Sequence, residues 1–265
     1  MRFSVVTATF NREKIVPRAI DSALKFVSSV GDSEIVVVDD ASHDDSVNMI
    51  RTSYATELQS GVLKLIKRQI NGGSTAAKSD GAKNASGDWI VFLDSDDELL
   101  PEAAKVIPDF IATDKNPKLF FFRVIDQNGR LVGPPRPPTK MPLRKLLNEG
   151  LPGECLPVAN RIAFLEHPSE NDPMAYEMMA YLRITRSHGY ALISELAARR
   201  YHMDGSDRIT SRAGNLRRLR RHITGFERMF EEFGAVMTLR HRWRLLIRLW
   251  CYRAAAICRF DSLIR

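Results

Sequence analysis

Cysteine is scarce in this sequence, which has only three among its 265 residues, at positions 155, 251 and 258. They form no Cys-x-x-Cys pair, so their spacing does not indicate a disulfide framework. The sequence also lacks a secretory signal peptide and any apolar stretch long and uncharged enough to span a bilayer. Together these absences predict a protein of the reducing cytoplasm.

Common phosphate and metal motifs are absent as well. There is no Gly-x-Gly-x-x-Gly after a strand and no Gly-x-x-x-x-Gly-Lys-Ser/Thr, which argues against a Rossmann dinucleotide site and a P-loop. An EF-hand loop counted from Asp94 would need Gly and Glu where Leu99 and Lys105 stand. A phosphatase that uses Asp94 as its nucleophile would usually have Thr or Val at the position of Glu98.

Lysine is missing from residues 199–265, a segment that contains sixteen arginines and six acidic residues and so carries +10. The whole chain carries +7, which leaves −3 for the first 198 residues. This asymmetry predicts a basic appendage that faces an anionic partner, such as a membrane surface, phosphate or nucleic acid.

Strands and helices alternate clearly before residue 115. A predicted helix follows each of four predicted strands, at residues 2–9, 34–38, 62–67 and 89–93. The alternation is typical of an α/β fold with a doubly wound, mostly parallel sheet flanked by helices. Later residues are predicted to form a strand over 118–125, a proline-rich loop over 133–138, a helix over 174–188, a short strand over 190–196, a polar loop over 201–210 and helical structure from about 213 to the end.

Polar side chains follow the central predicted strand, residues 89–93, in the run Asp94-Ser95-Asp96-Asp97. Because parallel strands end along the same edge, where open α/β sheets bind ligands, we expect distant residues to converge there. Three carboxylates in four positions repel one another, which predicts a cation among them. Oxygen ligands favour Mg²⁺ or Mn²⁺ over zinc, and we expect the ion to carry a diphosphate.

Polar side chains also lie at the ends of two other predicted strands. Thr7 and Thr9 end the first strand, and Asp39 and Asp40 follow the second. Asp39 is suited to accept hydrogen bonds from the edge of a nucleobase, while the carboxylates after the central strand are suited to a ribose hydroxyl and a metal. For the pair Asp39-Asp40, a helix cap or a solvated loop is an equally simple alternative.

Three segments, FSVVTATFNR, EIVVVDDAS and NGGSTAAKSDGAKNASGDWIVFLDSDD, resemble family 2 glycosyltransferases of the GT-A fold in sequence and spacing. The resemblance is specific over residues 1–115 and loose over 116–210. It implies that the Asp-x-Asp segment contacts ribose and that Asp96 is the direct ligand of a metal that neutralises a diphosphate. The donor-binding residues that it implies are Thr7, Ala8, Thr9, Asn11, Arg12, Asp39, Asp94 and Ser95.

Two positions depart from the family pattern. Lys78 stands where the family often has arginine, so a positive charge toward the donor is kept but the planar fork for a bidentate contact is lost. Ala8 stands where the family often has proline, which leaves the exit of the first strand less rigid.

An inverting transfer needs a carboxylate that takes the proton of the acceptor hydroxyl as this hydroxyl attacks the anomeric carbon. The family supplies it from a Glu-Asp pair at the start of a helix, with arginine six residues beyond the Asp, and this sequence has no such pair there. Counting back from Arg183 favours Glu177, whereas the capping pattern before Pro173 favours Asp172. A third alternative is that Asp172 only caps the helix and Glu177 is a solvated helix residue.

Residues 201–210 lie where the family has a loop near the metal and the diphosphate. His202 and Arg208 are therefore candidates to contact phosphate, and His202 is also a candidate metal ligand, although a single histidine is more often structural. The sequence spacing of the remaining central and C-terminal histidines indicates no metal site; these are His167, His188, His222 and His241.

The C-terminal segment contains a basic amphipathic helix in which arginines step by four along one side. A second side is apolar and recurs at steps of three and four: Leu239, Trp243, Leu246, Ile247, Trp250, Ala254 and Ile257. Such a helix can lie in the interface of an anionic bilayer, and packing on the catalytic domain or a homodimer contact are alternatives of equal weight. Nucleic acid is a poorer partner, because no reading motif is present.

We therefore expect a metal-dependent inverting glycosyltransferase that moves a sugar from a nucleotide sugar, with UDP-sugars the first choice, to a hydroxyl of a glycan or lipid-linked glycan. It would act in the cytoplasm or at the inner face of the cell membrane, as in bacterial surface polysaccharide synthesis. Residues 1–115 would bind the donor, 116–210 the acceptor, and 211–265 would form the tail. The alternatives are a phosphatase or nucleotidyltransferase that uses the acidic cluster, and a non-catalytic membrane-docking protein.

Overall fold

The computed structural model describes residues 1–167, 176–202 and 219–264. Within these residues the chain forms a mixed β-sheet with helices against both faces and a helical tail, which confirms the predicted α/β fold. The elements of the first half are β1 (Phe3–Thr9), α1 (Val16–Val30), β2 (Glu34–Asp39), α2 (Ser46–Ser53), α3 (Ala55–Ser60), β3 (Leu63–Lys67), α4 (Ser74–Asn84), β4 (Trp89–Phe92), β5 (Glu98–Leu99) and α5 (Ala103–Thr113).

The second half adds strands that run in both directions and a helical C-terminus. Its elements are β6 (Leu119–Asp126), β7 (Thr139–Pro142), α6 (Leu143–Glu149), β8 (Cys155–Asn160), α7 (Arg161–Leu165), α8 (Met178–His188), β9 (Tyr190–Tyr201), α9 (Leu219–Phe233), a 3₁₀ turn (Gly234–Val236) and α10 (Leu239–Ile264).

The strands lie in the order β3-β2-β1-β4-β8-β6-β9-β5, and β7 pairs with β9 beside this path. The first four are mutually parallel, and β8 runs antiparallel between β4 and β6. Alternate residues enter two cores: Val5 and Val91 pack with α1 and α5, while Val6 and Phe92 pack with α4 and α8. Because both faces are covered, β4 is apolar throughout and β2 carries its charged residues only at its two ends.

Two predictions for the second half need correction. Helix α8 begins at Met178 and not at residue 174, and residues 168–175 lie outside the described part of the chain. The predicted short strand is wrong in length, because β9 pairs with β6 across a register shift and continues to Tyr201. The predicted helical tail is confirmed, and Gly234–Val236 divides its described part into α9 and α10.

Glu34 ties together the amino ends of the parallel strands. Its buried Oε1 accepts hydrogen bonds from the hydroxyls of Ser4 at 2.7 Å and Ser86 at 2.6 Å, and its Oε2 lies 2.7 Å from Lys64 Nζ. Burial alone would raise the pKa of Glu34, but the hydrogen bonds from Lys64, Ser86 and Ser4 outweigh burial and lower this pKa to about 2. The carboxylate therefore stays charged and links β1, β2, β3 and the turn before β4.

We expect Glu34→Gln to lower the free energy of unfolding by about 3 kcal/mol at pH 7, because it leaves buried donors without their charged acceptor. Because the pKa of Glu34 is lower in the folded than in the unfolded state, its ionised carboxylate stabilises the folded protein above about pH 5. This stabilisation is lost as the pH falls toward 2. Urea unfolding across this range should therefore show the difference between wild type and variant shrinking. Glu231→Gln, at an exposed site, is the matched control, and a pH-independent difference for Glu34→Gln would contradict the prediction.

Candidate active site

A cavity of about 580 Å³ lies at the carboxyl ends of β1 and β4. Its opposite wall comes from the second half of the chain and includes Glu154, Tyr181 and Arg199. Residues from both halves therefore meet at the sheet edge where the sequence predicts convergence. The sequence-predicted residues that line the cavity are Ala8, Arg12, Lys78, Asp94, Ser95, Asp96 and Glu177.

Asp94, the first acid of the Asp-x-Asp segment, is held between two buried cations. Its Oδ1 accepts a hydrogen bond from Lys78 Nζ and its Oδ2 accepts one from Arg199 Nη1, both at 2.9 Å. Desolvation would raise the pKa of Asp94, but the charges of Lys78 and Arg199 outweigh it and lower this pKa. Burial would likewise lower the pKa of Lys78, and the charges of Asp94 and Glu177 raise it overall. Lys78, Arg199 and Asp94 together carry +1, but the other charged residues of the lining, Arg12, Asp96, Glu154 and Glu177, add −2, so the cavity lining carries a formal charge of −1.

Asp97 anchors the same segment from the interior. It is fully buried, its Oδ1 accepts the backbone N–H of His202 at 3.1 Å, and its Oδ2 lies 3.2 Å from Arg199 Nη1. Burial raises the pKa of Asp97 to about 7, with the charge of Arg199 opposing the rise and the charge of Asp94 adding to it. Asp97 therefore positions the Asp-x-Asp turn rather than facing the cavity.

Asp96 is partly exposed and lines the cavity. Its Oδ2 lies 3.4 Å from Arg12 Nη1, and its backbone carbonyl accepts a hydrogen bond from Arg18. The two oxygens of Asp94 are already engaged by cations, so Asp96 is the carboxylate of this segment best placed to bind an ion. Mg²⁺ and Mn²⁺ are commonly held by one or two carboxylates plus substrate phosphates, and Asp96 together with a diphosphate fits that requirement.

The loops after β1 and β2 are locked to each other. Asn11 has a left-handed φ of 53°, its backbone N–H donates to Ser42 Oγ at 2.9 Å, and its Oδ1 accepts the backbone N–H of His43 at 2.8 Å. Ala41 is also left-handed, with a φ of 63°. Such backbone angles are costly for residues other than glycine, so the hydrogen bonds between the loops hold a fixed shape beside the cavity.

Thr7, Thr9 and Asp39 are buried and do not line the cavity. Asp39 Oδ2 accepts the backbone N–H of Ser42 at 3.0 Å and so supports the loop after β2. This buried contact is neither a helix cap nor a solvated position, the two alternatives considered from the sequence. Asp39 Oδ1 and Thr9 Oγ1 are buried with no hydrogen-bond partner among the described residues. Both atoms are shielded from the cavity, so they mark unsatisfied polar groups beneath this edge rather than exposed ligand contacts.

Asp40 has a structural role. It accepts hydrogen bonds from Arg68 Nη1 at 2.5 Å and from the backbone N–H groups of Gly72 at 3.0 Å and Gly73 at 2.7 Å. Gly73, with a φ of 87°, immediately precedes α4, and α4 carries Lys78. Asp40 therefore fixes the helix that delivers a cation to Asp94.

Glu177 lies on the cavity wall at the N-cap position of α8. Its Oε1 accepts a hydrogen bond from Ser74 Oγ at 2.8 Å and lies 3.6 Å from Lys78 Nζ. Glu177, the candidate base obtained by counting back from Arg183, therefore lines the cavity. The competing candidate Asp172 lies outside the described residues, and so does Arg208.

His202 contributes its backbone rather than its ring to this region. The ring Nε2 lies 3.5 Å from Glu98 Oε1, and His202 is not among the residues that line the cavity. The structure therefore gives the imidazole a carboxylate neighbour away from the cavity and lends no support to His202 as a metal ligand.

Sequence reasoning missed Arg199, which it counted as the first residue of the basic tail. Arg199 lies in β9, is only 2% exposed, and contacts Asp94, Asp97 and Glu154. The sequence shows little sign of this role. Arg199 can point into the core only if β9 continues beyond residue 196, and it is the pairing of β9 with β6 that makes the strand continue.

Comparison with known proteins gives a consistent result. The sequence model of the family described as "Glycosyl transferase family 2" matches residues 4–155. The poly(ribitol-phosphate) β-N-acetylglucosaminyltransferase TarS of Staphylococcus aureus is 28% identical over 196 residues, which cover 70% of this chain and 33% of that protein. The chain spans about a third of the length of the curated relatives it matches first.

Two solved structures share the fold. The crystal structure of S. aureus TarS 1-349 in complex with UDP-GlcNAc has a TM-score of 0.68 at 18% identity and covers 95% of this chain and 72% of that one. The mannosyltransferase PcManGT from Pyrobaculum calidifontis, solved with GDP-Man and Mn²⁺, has a TM-score of 0.65 at 17% identity. The match covers 99% of this chain and 75% of PcManGT. This likeness confirms the GT-A fold that the sequence resemblance implies.

We expect Arg199→Met to lower the free energy of unfolding by about 3 kcal/mol, because it removes the buried cation that pairs with the ionised Asp94 and with Asp97. Arg200→Met is the matched control: the neighbouring side chain is 37% exposed and pairs with Glu98, so its loss should cost at most about 1 kcal/mol. Urea unfolding at pH 7 measures both. Equal losses for the two variants would show that the buried network does not contribute as described.

Proposed function

Since the chain belongs to glycosyl transferase family 2, we propose that it is a metal-dependent inverting glycosyltransferase that moves a sugar from a nucleotide sugar to a hydroxyl of a glycan or lipid-linked glycan. The observation that carries this proposal is the cavity in which Asp94 and Asp96, neutralised by fixed cations, face a separate carboxylate, Glu177. Asp94 and Asp96 with the cations beside them suit the binding of a metal-bound diphosphate. Glu177, on a separate helix, suits proton transfer.

The donor is a nucleoside-diphosphate sugar, with a UDP-sugar as the first choice. Arg12, Lys78 and Arg199 place three positive charges around the Asp-x-Asp segment, and charged groups fixed before binding stabilise a diphosphate without reorganisation. The related TarS was solved with UDP-GlcNAc and PcManGT with GDP-Man, which supports the nucleotide-sugar class. For the nucleoside we keep Asp39 and Thr9, at the carboxyl ends of β2 and β1, because the family resemblance implies them.

Asp96 would hold Mn²⁺ or Mg²⁺ together with oxygens of the donor diphosphate. When bound, such an ion would neutralise charge on the departing nucleoside diphosphate. The chain's own cations serve the same end, because Lys78 and Arg199 are charged at neutral pH and fixed by Asp94. His202 is not part of this proposed site.

Glu177 would accept the proton from the acceptor hydroxyl. Its hydrogen bond from Ser74 orients the carboxylate, and Lys78 Nζ lies 3.6 Å away. A carboxylate positioned in this way suits a general base. Asp172 stays the competing candidate for this role. The expected consequence is that substitution of the base affects turnover and leaves donor binding intact.

The tail suggests where the acceptor is found. Helix α10 buries Leu245 and Leu249 against the rest of the protein, so one of its faces packs on the domain. A second face is apolar yet exposed, with Trp243 66% and Trp250 75% accessible, and it continues through Leu239, Leu246 and Ile247. No helix within the described residues has both the length and the apolar character of a membrane span.

We propose that this exposed face docks on an anionic bilayer surface, where a lipid-linked acceptor would be presented. Arg240, Arg244 and Arg248 line the side next to the apolar face, and residues 239–256 contain no acidic residue. Tryptophan prefers the headgroup region, and each arginine near an anionic surface adds about 1 kcal/mol of attraction. This charge complementarity favours a membrane over a second copy of the chain, and it would place the enzyme at the inner face of the cell membrane.

We expect Glu177→Gln to lower kcat by about 100-fold or more, because the amide cannot take a proton, while the donor Kd stays unchanged.

Asp96→Asn should abolish the Mn²⁺ dependence of nucleoside-diphosphate release and of stabilisation by UDP. Release of UDP from UDP-sugars, with and without Mn²⁺, and thermal shift with UDP measure these effects. Glu149→Gln, at a site outside the cavity, is the control.

Several outcomes would reject this function. Full activity of Asp96→Asn would remove the proposed metal site. Release of inorganic phosphate in place of UDP would indicate a phosphatase. No metal-dependent binding of any nucleoside diphosphate would favour a non-catalytic docking protein.

For the membrane surface, we expect the double variant Trp243→Ser/Trp250→Ser to lose co-sedimentation with phosphatidylglycerol vesicles, because the interfacial anchors are removed. Arg244→Gln and Arg248→Gln should each weaken binding about fivefold at low salt. Leu196→Ser, which replaces an exposed apolar residue of β9, is the control. Equal binding to phosphatidylcholine vesicles, or a concentration-dependent dimer that disappears in the Trp variant, would reject the anionic bilayer as the occupant of this face.

A further inference from the structure

Two histidines and a glutamate meet outside the cavity, where α7 and α8 both end. Glu166 and His167 directly follow α7, and His188 is the last residue of α8. One potential ligand atom from each of the three lies within 4.8 Å of the other two, and no other such group of three was found among the described residues. Their separation in sequence gives no motif, so sequence reasoning predicted no metal site there.

The imidazoles of this group have polar atoms that the protein leaves unpaired. Nε2 of His167 and Nε2 of His188 are buried, and neither has a hydrogen-bond partner in the described part of the chain. His188 Nε2 lies 3.5 Å from Glu166 Oε2, which is longer than a good hydrogen bond. Buried polar atoms without partners are costly and call for an explanation.

We propose that Glu166, His167 and His188 bind a divalent transition-metal ion of the zinc class, with water completing the coordination. Two imidazoles and one carboxylate are a ligand set that zinc takes, and imidazole disfavours Mg²⁺ and Mn²⁺ relative to zinc. Tetrahedral bonds of about 2.0–2.1 Å place ligand atoms about 3.4 Å apart. Glu166 Oε2 and His188 Nε2, at 3.5 Å, already have about this spacing. The other ligand atoms lie within 4.8 Å, so metal binding requires His167 to approach them by at most roughly 1.4 Å.

The electrostatic surroundings allow a cation here. Arg183 and Arg186 contribute positive charge near His167, but both are bound to Glu232, at 2.8 Å and 3.0 Å. The site also lies at the carboxyl end of the 11-residue helix α8, where the helix dipole favours positive charge. The carboxylate of Glu166 supplies the remaining negative charge.

A bound ion would have a structural effect. It would tie the end of α7 to the end of α8, and the opposite end of α8 carries Glu177 at its N-cap. The ion would therefore fix the helix that presents the candidate base, without contacting the cavity. This inference does not depend on the proposed transfer reaction, because its readouts are metal binding and stability.

The test uses the full chain without an affinity tag, carrying Asp96→Asn so that the donor site does not contribute. Titration with Co²⁺ should give the visible d–d absorption of a four-coordinate site at one equivalent, and Zn²⁺ should displace it. Excess Zn²⁺ should raise the Tm by about 5 °C. His167→Gln and His188→Gln should each abolish both effects, Glu166→Gln should weaken Zn²⁺ binding at least tenfold, and His241→Gln should leave both effects unchanged.

Far-UV circular dichroism and the Tm in chelator establish that each variant is folded, so that a loss of metal binding reports on the site. Unchanged Co²⁺ absorption in the double variant His167→Gln/His188→Gln would assign the metal to other ligands and overturn the proposal. Absence of d–d absorption in the parent protein at millimolar Co²⁺ would overturn it as well. Zn²⁺ stabilisation that persists in Glu166→Gln and in both histidine variants would lead to the same conclusion.

Discussion

The ion pairs of Lys78 and Arg199 with Asp94 are the interaction on which the rest of the site depends. The two cations are buried, and burying a charge is unfavourable unless a partner of good geometry is in place. Lys78 in α4 and Asp94 after β4 both belong to the first half, whereas Arg199 lies in β9, so Arg199 meets Asp94 and Asp97 only when both halves of the chain are folded. The requirement to satisfy these charges therefore couples the sheet edge of the first half to the strands of the second.

Strand β2 shows how the same edge is kept rigid. Its apolar middle is buried on both faces, while its two ends carry carboxylates with different duties. Glu34 joins neighbouring strands at the amino end, whereas Asp39 and Asp40 hold the loop after β2 and the start of α4 at the carboxyl end. Because these acids bond to protein groups, they fix the positions of the residues that line the cavity. A preorganised charge arrangement of this kind loses little free energy to reorganisation when a charged ligand binds.

The C-terminal helices extend this organisation to the outside of the molecule. Glu232 of α9 forms ion pairs with Arg183 and Arg186 of α8. Leu245 of α10 packs into the core that contains Val6 and Phe92. The tail is therefore attached to the helix that carries Glu177. Its exposed tryptophan face lies on another side of α10, so packing on the domain and contact with a membrane are compatible.

Strands β1 to β4, the acidic turn after β4 and the basic character of the tail could all be predicted from the amino-acid sequence. Periodicity, turn residues and clustered charge are properties of short segments, so a single sequence reveals them. The burial of Arg199 as a counter-ion, the extension of β9 to Tyr201 and the meeting of His167 with His188 emerge only in the folded chain. Each of these facts depends on which distant residues become neighbours, and that is set by strand pairing and helix packing, which local patterns do not encode.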